Sequence, residues 1–198
     1  PEPAVVPEGR LRMMRVPALF GLIEHPDRGA VLFDTGYHTR FQEATRRLPY
    51  RLYRYLTPVR MGPEDNAVAQ LAARGIAAED VGWIVVSHFD PDHIGGLRDF
   101  PKARFVATAE AWRAVADKRG LSAMKVRLLP DLLPDDVAAR LELITRFPGP
   151  PMGPFDRSHD LFGDGAVRLV ELPGHAPGQV GAFVAAADQR TYLLAADG

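Results

Sequence analysis

Four side chains able to ligate a metal stand within six positions: His88, Asp90, Asp92 and His93. Neutral imidazole and carboxylate together suit divalent zinc, manganese or iron. The alternative is a polar loop whose carboxylates merely cap a helix. A single His would fit that reading, but four ligand types at this spacing favour a metal site. Two further residues have the same chemistry. His175 lies in the turn Pro173-Gly174-His175-Ala176-Pro177-Gly178, and Asp197 follows the apolar run Tyr192 to Ala196. Alone they would be a loop histidine and a turn carboxylate. Beside the first cluster they become a third imidazole and another carboxylate for the same centre.

Convergence of these residues requires strand ends. Trp83-Ile84-Val85-Val86 is short, apolar, rich in β-branching and preceded by Gly82, which predicts a buried strand ending at the cluster. Pro91 fixes a bend, and Gly95-Gly96 lets the backbone pass close by and enter a helix. Upstream, 18–24 and 30–33 read as a hairpin around the turn His25-Pro26-Asp27-Arg28-Gly29, leaving through Asp34-Thr35-Gly36. Residues 41–56 predict an amphipathic helix, interrupted or kinked near Pro49. Residues 63–74 predict a second helix, stopped by Gly75. A strand is expected at 104–107 and a helix at 110–118. A mixed stretch follows from 124 to 147, with a short helix after Pro134. The Pro/Gly-rich 147–158 segment reads as a long loop at a substrate edge. Strands at 166–172, 179–187 and 191–196 complete the pattern.

Composition narrows the chemistry. At 198 residues, 46% hydrophobic and 25% charged, the chain reads as one soluble globular domain spanning 1–198. It has no cysteine, which excludes disulfides, thiolate-bound zinc, iron–sulfur clusters and a thiol nucleophile. The three serines, Ser87, Ser122 and Ser158, form no G-x-S-x-G elbow. Hydrolytic chemistry would therefore use a metal-bound water. A net charge of -1 gives no global pull toward nucleic acid or membrane, and a cytoplasmic location is expected. Arg46, Arg47, Arg51, Arg54 and Arg60, interleaved with Tyr50, Tyr53 and Tyr55, could form a backbone-binding strip of a nuclease. The balanced charge favours a solvated helix face and a small-molecule substrate instead. Oligomeric state is not legible. The chain begins at Pro1 without Met, which leaves room for a preceding segment.

Together these motifs resemble the metallo-β-lactamase-fold hydrolases. That family carries H-x-H-x-D-H after a buried strand, then a P-G-H turn, then an Asp bridging two metals. Asp34-Thr35-Gly36 is similar to its early D-T-G turn. The runs Leu22 to Pro26 and Asp160 to Gly165 resemble the N-acyl homoserine lactonases within it. The resemblance extends from about Ala18 to Gly198. It implies an α+β four-layer αββα sandwich with the site at one edge of two sheets. It implies two divalent ions, zinc foremost, with His88 and His175 on the first, Asp92 and His93 on the second, and Asp197 between them. It further implies a metal-activated hydroxide attacking an ester or lactone. Asp92 and Asp197 would orient it, and one would pass a proton to the leaving alkoxide. Tyr37 and Phe89 could line the substrate wall, although Phe89 reads better as core.

Two departures bear on these expectations. The family's second His is replaced by Asp90, a harder, charged ligand that tilts the site toward manganese or iron. This resembles the diiron flavoproteins of the same fold and raises a non-haem iron oxidoreductase as an alternative. The family's last His falls beyond Gly198. The expectation is that the C-terminal part of the fold lies outside this sequence. A non-catalytic binding protein with an incomplete site is the remaining alternative.

Overall fold

A computed structural model of the chain describes residues 16–197. Among the described residues, nine strands form two sheets. The first contains β1 (Gly21–His25), β2 (Gly29–Phe33), β3 (Val81–Val85), β4 (Arg104–Thr108) and β5 (Leu141–Ile144), in that spatial order. β1 and β2 pair antiparallel, and the remaining pairs are parallel. The second is an antiparallel sheet of β6 (His159–Asp160), β7 (Val167–Glu171), β8 (Val180–Ala185) and β9 (Thr191–Leu194).

Alternation along the first sheet explains the layering. Val31, Phe33, Val85 and Val106 face the second sheet and pack with Val167, Leu169, Val180 and Ala182. Leu32, Ile84, Phe105 and Ala107 point the other way, into a core shared with helices. The first sheet is thus covered on both faces, which is why its strands read as unbroken apolar runs. Seven short helices line that second core: α1 (Phe41–Ala44), α2 (Arg51–Leu56), α3 (Ala67–Ala72), α4 (Pro91–Ile94), α5 (Ala109–Val115), α6 (Gly120–Lys125) and α7 (Val137–Arg140). The described residues therefore supply an α layer and two β layers of the expected sandwich. All seven helices contribute to the core on the one face of the first sheet.

Three local expectations are refined. The helix expected over 41–56 with an interruption or kink near Pro49 is interrupted: it is two helices separated by residues 45–50, and Pro49 lacks the N–H that would continue the ladder. The second expected helix is a 3-10 turn at Pro63–Asp65 followed by α3. The chain leaves α3 through Gly75, whose φ of 78° suits glycine. The mixed stretch contains the end of α6, all of α7 and edge strand β5, whose exposed Glu142 and Leu143 break any alternation.

Candidate metal centre

The site is assembled where the first sheet's strand exits meet the loop between β7 and β8. After β3 the chain runs through Ser87 to Asp90 and enters α4, whose first turn carries Asp92 and His93. The Asp34-Thr35-Gly36 turn at the exit of β2 holds α4 in place. The Thr35 N–H and hydroxyl both donate to the His93 carbonyl, at 2.8 and 2.9 Å. The Gly96 N–H donates back to the Thr35 hydroxyl, and the Gly95 N–H donates to the Gly36 carbonyl. A Cβ at Gly95 would lie 2.6 Å from the His38 nitrogen, so the close approach needs glycine there. The His175 loop is anchored at its far end. Thr108 caps α5 and donates its hydroxyl to the Gly178 carbonyl at 2.7 Å. The Val180 N–H reaches the Ser87 carbonyl.

These anchors bring all six expected residues together. The His88 and His93 rings lie with centroids 4.0 Å apart, tilted by 46°, and His175 meets His88 edge-on at 5.0 Å. Asp197, just past β9, turns its two oxygens to different imidazoles. Oδ1 is 3.2 Å from His93 Nε2, and Oδ2 is 3.3 Å from His175 Nε2. Two sets of donor atoms result, each within a 4.8 Å span: His88, His175 and Asp197, and Asp92, His93 and Asp197. Asp90 faces the same space, with Oδ2 3.7 Å from His88 Nε2 and 3.3 Å from His175 Nε2. It stands at the N-cap of α4 without accepting a capping hydrogen bond, so its side chain is not a helix cap.

The ring orientations fit a cation. Asp34 Oδ2 accepts from His93 Nδ1 at 2.8 Å, which turns Nε2 into the site. Ser87 donates its hydroxyl to the same oxygen at 2.7 Å, so its own oxygen is left to accept from His88 Nδ1 at 3.0 Å. His88 then presents a bare Nε2 as well. Both Nε2 atoms are buried without a hydrogen-bond partner among the described residues. Buried ring nitrogens with their other nitrogen held by a carboxylate or hydroxyl are how metal-ligating histidines are fixed.

A family model described as the metallo-beta-lactamase superfamily matches residues 14–197. The chain belongs to the metallo-beta-lactamase superfamily. A probable metallo-hydrolase of Mycobacterium tuberculosis is 32% identical over 167 residues, covering 82% of this chain and 51% of that protein. An N-acyl homoserine lactonase of Azorhizobium caulinodans is 27% identical over 188 residues, covering 92% of this chain and 65% of its own length. The chain thus spans about half to two thirds of these curated relatives. Among solved structures, an N-acyl homoserine lactone hydrolase with N-hexanoyl-L-homoserine bound at its catalytic metal center superposes with a TM-score of 0.66. It is 21% identical, over 96% of this chain and 66% of that one. This likeness shows the metallo-beta-lactamase fold expected from the motifs. No helix among the described residues is long and apolar enough to cross a membrane.

The charges of this superfamily member's cluster reflect its crowding. Burial works against a charge on His93, but the neighbouring carboxylates of Asp197 and Asp34 outweigh it and push the ring up to about 11. The closeness of His93 in turn holds Asp197 down to about 2. Burial pushes Asp92 above the usual carboxylate range, and the nearby charges of Asp197 and Asp90 add to this against His93. Burial would also raise Asp90, but the nearby His88 and the Arg127 guanidinium hold it below that range. Burial and the Asp92 charge raise Tyr37 well above the ordinary phenol range, which keeps it a neutral donor beside the site.

Two functional residues escaped the sequence reading. Asp34 was visible only as part of a turn, yet it adopts a left-handed φ of 61° and orients His93 from 59 positions away. Arg127 gave no signal at all. Its guanidinium reaches Asp90 and His175 from the end of α6. Phe89 is core, stacked near Trp112. Three arginines of the strip have local partners: Arg46 pairs with Glu43, Arg51 with Tyr55, and Arg54 with Thr45.

Removing the Asp34 carboxylate should loosen the centre. Asp34→Ala is expected to weaken divalent-metal binding about 10–100-fold. It also strands the buried Ser87 N–H that Asp34 Oδ1 accepts, at a cost of about 1–3 kcal/mol. Asp34→Asn, which tolerates the left-handed backbone, should recover the stability better than the affinity. Competition with a chromophoric chelator and thermal melting separate the effects. An unchanged metal affinity in Asp34→Ala would remove Asp34 from the site.

Proposed function

We propose that this chain carries the metal centre of a hydrolase acting on an ester or lactone of a small molecule. Two divalent cations are its cofactors, with zinc foremost and manganese or iron as alternatives. His88, His175 and Asp197 would hold one, and Asp92, His93 and Asp197 the other. The observation that carries this reading is the split orientation of Asp197, one oxygen toward His93 and one toward His175. The orphaned Nε2 atoms of His88 and His93 support it, and so do relatives named as metallo-hydrolases and N-acyl homoserine lactonases.

Cations bound there supply Lewis acidity for a carbonyl and lower the pKa of a bound water. The protein's own work is orientation and proton handling. Asp34 and Ser87 fix the imidazoles, which spares reorganisation when substrate binds. Asp197 stays ionised and orients the attacking water. Asp92, the carboxylate that burial makes the better proton acceptor, takes its proton and delivers it to the leaving alkoxide oxygen. Tyr37, kept neutral by burial and the nearby Asp92, offers a hydroxyl for a substrate carbonyl.

The substrate class is tested by following acid release from a panel of acyl lactones, simple esters, thioesters and phosphodiesters. Ring opening of lactones or ester cleavage above the other classes is expected. Turnover confined to phosphodiesters would replace this reading with a nuclease or phosphodiesterase.

A further inference from the structure

Where the family pattern has a second neutral histidine, this chain has Asp90, and the structure shows what accompanies it. Arg127 Nε lies 2.5 Å from Asp90 Oδ2, the closest contact that carboxylate makes among the described residues. The same guanidinium donates through Nη2 to His175, at 3.1 Å from both the carbonyl and Nε2. The position of Arg127 is not accidental. It follows α6 in a left-handed conformation, φ 57°, and its N–H closes on the Met124 carbonyl. The next two residues, Leu128 and Leu129, are completely buried and pin the backbone. Asp90 is almost fully buried, whereas the Arg127 side chain is nearly half exposed. The arginine thus reaches inward from the rim to the carboxylate.

We infer that Asp90 and Arg127 act as one unit, a neutral ion pair standing where the pattern has a neutral imidazole, and that Arg127 is a positioning residue that keeps Asp90 from ligating and competes with a cation for His175. The inference rests on the metal-centre reading and deepens it. An unpaired Asp90 would add a hard, negative ligand and favour manganese or iron. Paired with a guanidinium, it adds no net charge. The position held by His88, His175 and Asp197 then keeps three protein ligands and an open place, the arrangement of catalytic zinc sites. The hydrogen bond from Nη2 uses the same Nε2 lone pair that a metal would use. Filling that position therefore requires the guanidinium to withdraw from His175.

The two halves of the pair should have opposite effects, which a purely structural salt bridge would not produce. Arg127→Met keeps the aliphatic stem and removes the charge. It frees both Asp90 and His175 and should tighten binding of the more weakly held cation at least roughly tenfold, and more for manganese than for zinc. Asp90→Asn leaves a guanidinium unpaired beside that position and should weaken binding by a similar factor. Arg127→Lys keeps the charge and should stay near wild type. The experiment is competition of zinc and manganese with a chromophoric chelator, on metal-stripped protein whose fold is checked by circular dichroism. Equal affinities in wild type and a folded Arg127→Met protein would overturn the inference. So would equal shifts in Arg127→Met and Arg127→Lys. If the wild-type protein binds no divalent ion, the metal-centre reading itself fails, a separate outcome.

Discussion

The Asp197→Ala protein is expected to hold at most one divalent cation and to lose hydrolytic turnover on the order of 10³-fold, beyond the 10–100-fold typical of second-layer partners. The reason is topological. The chain brings two donor sets together, and the Asp197 carboxylate is the only member they share. Without it the sets shrink to His88 with His175 and Asp92 with His93, two ligands each. His93 also loses the partner that contributes most to its protonated form. The fold should be little affected, because Asp197 is exposed and lies beyond β9. Metal content by elemental analysis, beside circular dichroism and a turnover assay, reads all three effects. Two retained cations would show that the carboxylate does not bridge.

Asp92→Asn should separate proton handling from ligation. The amide keeps the size of the side chain and an oxygen that can ligate, but cannot carry the proton. Turnover should fall about 10²–10⁴-fold, the usual contribution of a positioned acid–base group, while metal content stays close to wild type. Asp92 suits this role because burial raises its proton affinity, whereas Asp197 is held ionised by His93. Loss of metal in parallel with activity would make Asp92 a ligand only. Retained activity would remove it from the mechanism.

The centre was legible in the sequence to the extent that its ligands are local. His88, Asp90, Asp92 and His93 occupy one strand exit and one helical turn, so six positions of sequence carry most of the geometry. His175 and Asp197 could be added because each follows a strand-like run flanked by turn residues. What orients the ligands was hidden. Asp34 meets His93 and Ser87 only because β2 and β3 lie side by side, a tertiary fact that no local spacing encodes. Arg127 projects from a left-handed residue in a stretch without periodicity, and its relation to Asp90 reverses what that aspartate suggests by itself. The fold followed the same rule. Parallel strands covered on both faces read clearly as apolar runs, while edge strand β5, half exposed and four residues long, did not. The helix expected over 41–56 is interrupted near Pro49, as its proline indicated, and its two pieces still pack Phe41 and Tyr53 against one another.

Hydrolysis by this cluster requires bound divalent ions under the proposed function. This requirement is tested most directly by titrating zinc into metal-stripped protein while measuring bound metal and lactone turnover in the same samples. Turnover should be absent without metal, rise with occupancy and level off at two ions per chain. Full turnover in the metal-free protein, or two bound ions with no turnover on any lactone or ester offered, would contradict the account.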